Sequence, residues 1–315
     1  MPLFQSSEIR LSSGINGDFT QLLERVRGIS INAQIPRSDT MVLGKTRALN
    51  ARPVINYSPV SYSVDFVKAT KEIENCLGIL NPSGVAYNLG TSSTLSGYGC
   101  RNLEVYLIDA AADSYKGQIN IKSGYLQSYN ITTTVGDIVK GSFAGEGLDI
   151  EILDNNDPRD LVNYDDVGII KPEDVQISGI QFSGFGVTGL SVQSFNIGLN
   201  FNRQSVFKLG SKYPVRPLTE ARASININGF IEGLKPVDTL GRYDCGLPET
   251  GNYYLTVLPS CSNYPATIYT IKNPYLDSWT FGAQIGSFVS TELSFSVILP
   301  FSLQESLTGS NLIIS

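Results

Sequence analysis

The sequence predicts a mainly β chain built from two tandem copies of one domain, on three observations. The first is a stretch near the middle. Phe195, Ile197, Leu199 and Phe201 alternate with Asn196, Gly198, Asn200 and Asn202, the period of two of a strand with one apolar and one uncharged polar face. The second is that this text occurs twice. Raising the numbers of Ile29 to Lys45 by 166 places Ile29, Ile31, Ala33 and Ile35 on Phe195, Ile197, Leu199 and Phe201, and Arg37 on Arg203, without a gap. The third is another ungapped match, in which Ile121 to Tyr129 falls on Ile271 to Trp279 at an offset of 150. Asn102 to Ile108 falls on Asn252 to Leu258 between these anchors, so the order of elements is the same in both copies.

A chain of 315 residues is long for one core and natural for two units of roughly 150 residues each. We place the first domain at 1–153, a linker at 154–174 and the second domain at 175–315, the last part of it a short tail. Histidine is absent, which argues against triad hydrolases and zinc chemistry. A net charge of −6 argues against gripping nucleic acid, which takes clustered Lys and Arg. Cys76, Cys100, Cys245 and Cys261 lack C-x-x-C spacing and fall on unmatched positions of the two copies, so they are expected to be free thiols in a reducing cytosol. The amino end has no basic segment leading into an apolar core, and no apolar run approaches the ~18 residues of a membrane span. A soluble protein made without a signal peptide is expected.

Asp18 to Gly28 has helical spacing at Phe19, Leu22, Leu23 and Val26, but its counterpart, Gly186 to Gln193, is rich in Gly and Val, which favours a strand. A strand follows from Ile29 to Ile35, then an arm from Arg37 to Pro53, then a strand through Tyr62, Val64 and Phe66. Lys68 to Leu80 predicts a helix: Ala69, Ile73, Cys76, Leu77 and Leu80 share one face, Lys71, Glu72 and Glu74 lie outside, and Gly78 with Asn81 and Pro82 ends it. Pro236, Gly241 and Gly246 argue against a helix at the corresponding place of the second copy. Gly84 to Gly99 reads as a loop, and strands are expected at Leu103–Ile108, Gln118–Lys122, Leu126–Thr133 and Leu148–Leu153. The second copy repeats the series and ends on a strand at Leu293–Leu299.

Apparent chemical motifs have plainer explanations. Gly184 to Gly189 fits G-x-G-x-x-G, but a strand follows where a nucleotide fold needs a helix, so the glycines read as bends. Ser205 and Lys208 fit S-x-x-K, yet the first copy has Asp39 and Val42 there. Asp154, Asp157, Asp160, Asp165 and Asp166 supply oxygen ligands of the kind calcium takes, without EF-hand alternation, and Asp-Asn-Pro runs are ordinary turn formers. Neither a cofactor nor a metal is expected. Lys122, Lys272, Arg37 and Arg203 recur at matched positions, either as solvated or structural charge or as ion pairs to a neighbouring subunit.

The stretch Ser191 to Pro214, the alternating strand that follows it, and the Tyr275-Leu276-Asp277-Ser278-Trp279 strand together resemble the tail tube proteins of long-tailed bacteriophages. The resemblance covers both copies and is strongest in Ser178–Gly233 and Tyr253–Leu299. It implies tandem β-sandwich or half-barrel domains with a flanking helix in the first, and a structural subunit, not an enzyme, that stacks in rings as a conduit for DNA. Three chains of two domains would then close a pseudo-sixfold ring in a virion tail assembled in the host cytoplasm. Its partners would be copies of itself and the tape measure, tip and terminator proteins, with DNA passing unbound and no membrane involved. Apolar arm residues are then expected to reach a neighbour: Met41, Val42 and Leu43 beside Arg37, and Val206, Phe207 and Leu209 beside Arg203. The alternates of the ring strands, Ser30, Asn32, Gln34, Asn196 and Asn200, would face the channel. A hub or tip component of the same fold is the alternative, and a glycan-binding β-sandwich a more distant one.

Overall fold

The computed structural model describes residues 6–13, 19–23, 25–33, 59–77, 79, 100–109, 114–153, 170–171, 174–178, 187–204, 206, 209, 214, 218–234, 252–257, 267–272, 274–299 and 312–314. In chain order the elements are β1 (Ser6–Ser13), β2 (Phe19–Leu22), β3 (Val26–Ala33), β4 (Val60–Val67), α1 (Glu72–Leu77), β5 (Cys100–Asp109), β6 (Ser114–Thr134), β7 (Lys140–Gly147) and β8 (Asp149–Leu153). They continue with β9 (Val175–Ser178), β10 (Val187–Arg203), β11 (Leu218–Leu234), β12 (Asn252–Val257), β13 (Thr267–Lys272), β14 (Tyr275–Gly282), β15 (Ser290–Ile298) and β16 (Leu312–Ile314). The protein is mainly β, as expected, and every ladder among the described residues is antiparallel.

Side-chain alternation explains the strands. In β4, Val60, Tyr62, Val64 and Phe66 are buried while Ser61, Ser63 and Asp65 face outward. Phe195, Ile197, Leu199 and Phe201 of β10 are buried in the same way, so half of each strand leaves water and half keeps it. These strands form one open run in the order β3-β4-β7-β6-β10-β11-β15-β14. The first part of β6 also carries β5 and β8, with β1 and β2 beyond β5. A separate sheet, β9-β12-β13-β16, contributes Tyr269, Ile271 and Ile314 to the same core as Phe66, Tyr129, Ile197 and Phe295.

Pairing order and register correspond on the two sides of the β6–β10 ladder. Phe143 sits between Val64 and Tyr129, and Leu293 between Ile227 and Trp279. A bulge lies between Leu126 and Ser128 in β6 and between Leu276 and Ser278 in β14. Gly136 and Gly286 hold φ of 85° and 83° in the turns that follow, a conformation open to glycine without strain. One feature differs. β6 bends at Ser123, φ 52°, whose N–H donates to Asn102 Oδ1 at 2.8 Å, and runs on unbroken, whereas Pro274 separates β13 from β14 because proline has no N–H for a ladder.

Several expectations are corrected. The helix spans Glu72–Leu77, shorter than Lys68–Leu80, and Glu74 is fully buried instead of outside. The physical reason is Lys68, equally buried, whose Nζ donates to both carboxylate oxygens of Glu74 at 2.5 Å and to the Thr70 carbonyl at 2.5 Å. The strand expected within Asp18–Gly28 is present as β2, with a break at Arg25, φ 56°, before β3. The expected strands 118–122 and 126–133 are one strand, and β1 and β7 were not anticipated. Ile170, in the expected linker, is buried, with its carbonyl accepting from Val139 N–H at 3.4 Å. The remainder of the linker as far as 169, the arm after Ala33 and the loop 84–99 lie outside the described residues.

Glu74 also accepts from Tyr129 and, at 2.8 Å, from Tyr269, and the two hydroxyls are 3.0 Å apart. Burial first, then the Glu74 charge, pushes the Tyr129 hydroxyl well above its usual range, so it remains a donor. Removing one member of such a buried pair leaves an uncompensated charge, typically ~3–5 kcal/mol. Lys68→Met is therefore expected to destabilise the fold by that amount in urea unfolding, and Lys68→Met with Glu74→Leu to recover part of it.

Candidate functional site

The face of the eight-strand run turned away from the core is paved with small polar groups. Gly28, Asp65, Ser142, Asn130, Gly198 and Ser224 form one cross-strand row, and Ser30, Ser63, Ala144, Ser128 and Asn200 form the next. The sequence-predicted residues Ser30, Asn32, Asn196 and Asn200 all lie on this face, and Gln34 lies outside the described residues. Amides are tied down laterally: Asn196 Nδ2 donates to Thr132 Oγ1 at 2.8 Å across the β6–β10 ladder, and Asn228 Nδ2 to Ser194 Oγ at 3.1 Å.

The charges here are largely acidic, Asp65, Glu146, Glu220 and Glu292 among them, and two of the cations are paired. Lys140 pairs with Asp137, and Arg222 with Glu220. The Lys140 hydrogen bond, then the Ile138 N–H and the charges of Lys140 and Arg27, hold the Asp137 carboxyl below its ordinary range. Away from this face, Lys122 meets Glu151 at 2.6 Å, so that recurring lysine finds its partner within the chain. Two depressions occupy matched places, one of about 670 Å³ lined by Asp65, Asn130, Thr132, Lys140 and Ser142 among others, and one of about 360 Å³ lined by Asn228, Thr280, Gly282, Ser290 and Glu292 among others.

Both ends of the run expose large apolar side chains. At one end the turns after β6 and β14 expose Val135, Ile285 and Phe288. Since Ser194 faces Thr134 and Asn200 faces Ser128, the arm after β10 leaves from the opposite end, where Val206 and Leu209 are exposed. Arg203 lies over the Tyr125 ring, 5.2 Å from its centroid, a cation–π contact between the two halves. Arg37, Met41, Val42, Leu43 and Phe207 lie outside the described residues. The turn tips were missed in the sequence, although their signal was there: Val135-Gly136 falls on Ile285-Gly286 at the same offset of 150.

No group of three His, Cys, Asp or Glu side chains is placed to hold a metal among the described residues, and the acidic run 154–166 lies outside them. No helix among the described residues is long and apolar enough to cross a membrane.

A folded-state carboxyl pKa held low means that Asp137 stays ionised down to a lower pH than a free aspartate, so Lys140 remains neutralised through neutral and mildly acid pH and is unmasked only as pH falls through that lowered value. Asp137→Asn removes the counter-charge at pH 7. It is expected to confer weak binding of duplex DNA, measured by fluorescence anisotropy, that disappears as salt rises from about 50 to 200 mM; the unsubstituted protein should show none. Comparison of the chain with protein-family models and with curated proteins gave no match.

Proposed function

We propose that the chain is a structural subunit of a bacteriophage tail tube, made of two equivalent tube domains, and that it polymerises into stacked rings that conduct DNA. The observation that carries this reading is the Ser/Thr/Asn-rich face spanning eight strands, whose charges are largely carboxylates, Asp65, Glu146 and Glu292 among them, and whose cations Lys140 and Arg222 are paired with carboxylates. A duplex moving past such a wall meets few phosphate-binding points, and the acidic remainder adds repulsion screened within roughly 8 Å at physiological salt. Apolar residues at opposite ends of the run, Ile285 and Phe288 at one and Val206 and Leu209 at the other, support stacking of rings end on end. The matched registers on the two sides of the β6–β10 ladder support two equivalent domains per chain, hence three chains for a ring of six. The protein acts in the virion tail and catalyses nothing in this reading.

Electron microscopy of purified protein tests it: hollow filaments with threefold rings are expected, and a protein that stays monomeric at high concentration overturns the reading. Leu209→Asp is expected to leave the circular dichroism spectrum unchanged while abolishing filaments. In a phage carrying the gene, lysine at Asn32 and Asn200 is expected to slow genome ejection with tubes intact.

A further inference from the structure

The buried group around Glu74 is arranged for more than an ion pair. Lys68 and Glu74 are both 0% exposed, and Lys68 Nζ stands 2.5 Å from each carboxylate oxygen of Glu74. An amine equidistant from both oxygens lies in front of the carboxyl carbon, inside the roughly 3–3.5 Å of a near-attack arrangement. The two oxygens have different partners. Oε1 accepts from the Tyr129 hydroxyl and, at 2.8 Å, from Tyr269, whereas Oε2 accepts from Lys68 alone among the described residues. We propose that Lys68 and Glu74 condense to an amide, a covalent link between the two side chains that the fold itself brings about.

The step balances without an added reagent. A proton passes from the Lys68 ammonium to Oε2, which exchanges two buried charges for an amine and a carboxylic acid. The Nζ lone pair attacks Cδ and the C–N bond forms, while the negative charge developing on Oε1 is held by the two phenol hydroxyls in the manner of an oxyanion hole. The Cδ–Oε2 bond then breaks. Oε2 leaves as water, carrying the carboxyl proton and one proton from nitrogen, and nothing is oxidised or reduced.

The product suits the partners already in place. Its single N–H meets the Thr70 carbonyl, 2.5 Å from Nζ, and its carbonyl oxygen, Oε1, keeps both phenols. No polar atom of the link is orphaned, and two buried ions are replaced by a neutral group. Phe66 packs on the Tyr129 ring with centroids 6.3 Å apart, and Ile73, Leu77 and Tyr269 belong to the same core, so the water that reversal needs is kept out. The surface pairs Lys122 with Glu151 and Lys140 with Asp137 have side chains 40% to 50% exposed. Water stabilises their ions, which confines the reaction to the buried pair. The link fastens the end of β4 to α1 by a bond that does not depend on charge.

Tryptic mapping of the denatured full chain tests the bond. The cut after Lys68 is expected to be absent, and the cut after Lys71 to leave a branched peptide lighter by one water than the sum of its two arms. Lys68→Arg keeps the charge without the nucleophile and is expected to give the unbranched peptides. Glu74→Gln is expected to give the same branched peptide, with ammonia leaving in place of water. Tyr269→Phe removes one donor to Oε1 and is expected to slow the bond about a hundredfold in a cell-free synthesis time course; an unchanged rate overturns the role given to the phenols. Complete cutting after Lys68 in folded, unsubstituted protein overturns the proposal whether or not any variant folds, and a branch that joins any other pair of residues overturns it as well.

Discussion

The ladder between β6 and β10 is the contact on which the rest of the structure depends. Seven residue pairs, from Ser194 with Thr134 to Asn200 with Ser128, turn two four-strand groups into one sheet with a continuous apolar side and a continuous polar side. A slip of one residue would exchange those sides across half the molecule. Leu199, Phe195 and Ile197 opposite Tyr129, Thr133 and Ile131 fix the register by burial, and the Asn196–Thr132 hydrogen bond adds a polar check on the other side.

Against that correspondence of halves stands one feature that has no double among the described residues. Glu74 draws Lys68, Tyr129 and Tyr269 into a closed hydrogen-bonded group in the core. Tyr269 occupies the place that Ile119 holds in the first half, and Lys68 the place of Ile231 in the second, as the equivalent bonds from Lys68 N–H to Val139 and from Ile231 N–H to Val289 establish. A polar group of this kind stabilises little over an apolar core of the same shape, but it is costly to mismatch. It joins α1, β6 and β13, so it fixes the four-stranded sheet against the long one in a single arrangement.

Much of this was readable in the residues. The alternation in β4, β10 and β15 gives both the strand and the face, and by the same period Ser30, Asn32, Asn196 and Asn200 lie on the side away from the core. β7 was illegible for a physical reason: Gly141, Gly145 and Gly147, beside Phe143, are three of its four core-facing residues and bear no side chain to reveal a period. A Cβ at Gly141 would meet Phe66 and Ile131, one at Gly145 the Tyr62 ring and the Tyr125 carbonyl, and one at Gly147 Ile121, so large neighbours supply the apolar volume. Glu74 was misread because a carboxylate on an amphipathic helix normally faces water, and its partner Tyr269 is 195 positions away. Ile170 was hidden inside an acidic segment whose composition is that of a turn.

The sequence distance across the central ladder bears on synthesis. β6 ends at Thr134 and its partner β10 does not finish until Arg203, so about seventy residues separate them. At roughly 5–20 residues per second of translation, the β6 edge stands open for on the order of 3–14 s. During that time Ile131 and Tyr129 have no strand to cover them from that side, and the first half of another nascent chain offers a β3 of matching pattern. Fidelity of the monomer then depends on the second half arriving at an edge sooner than a neighbour does, a competition set by the spacing of ribosomes on the message as much as by the fold.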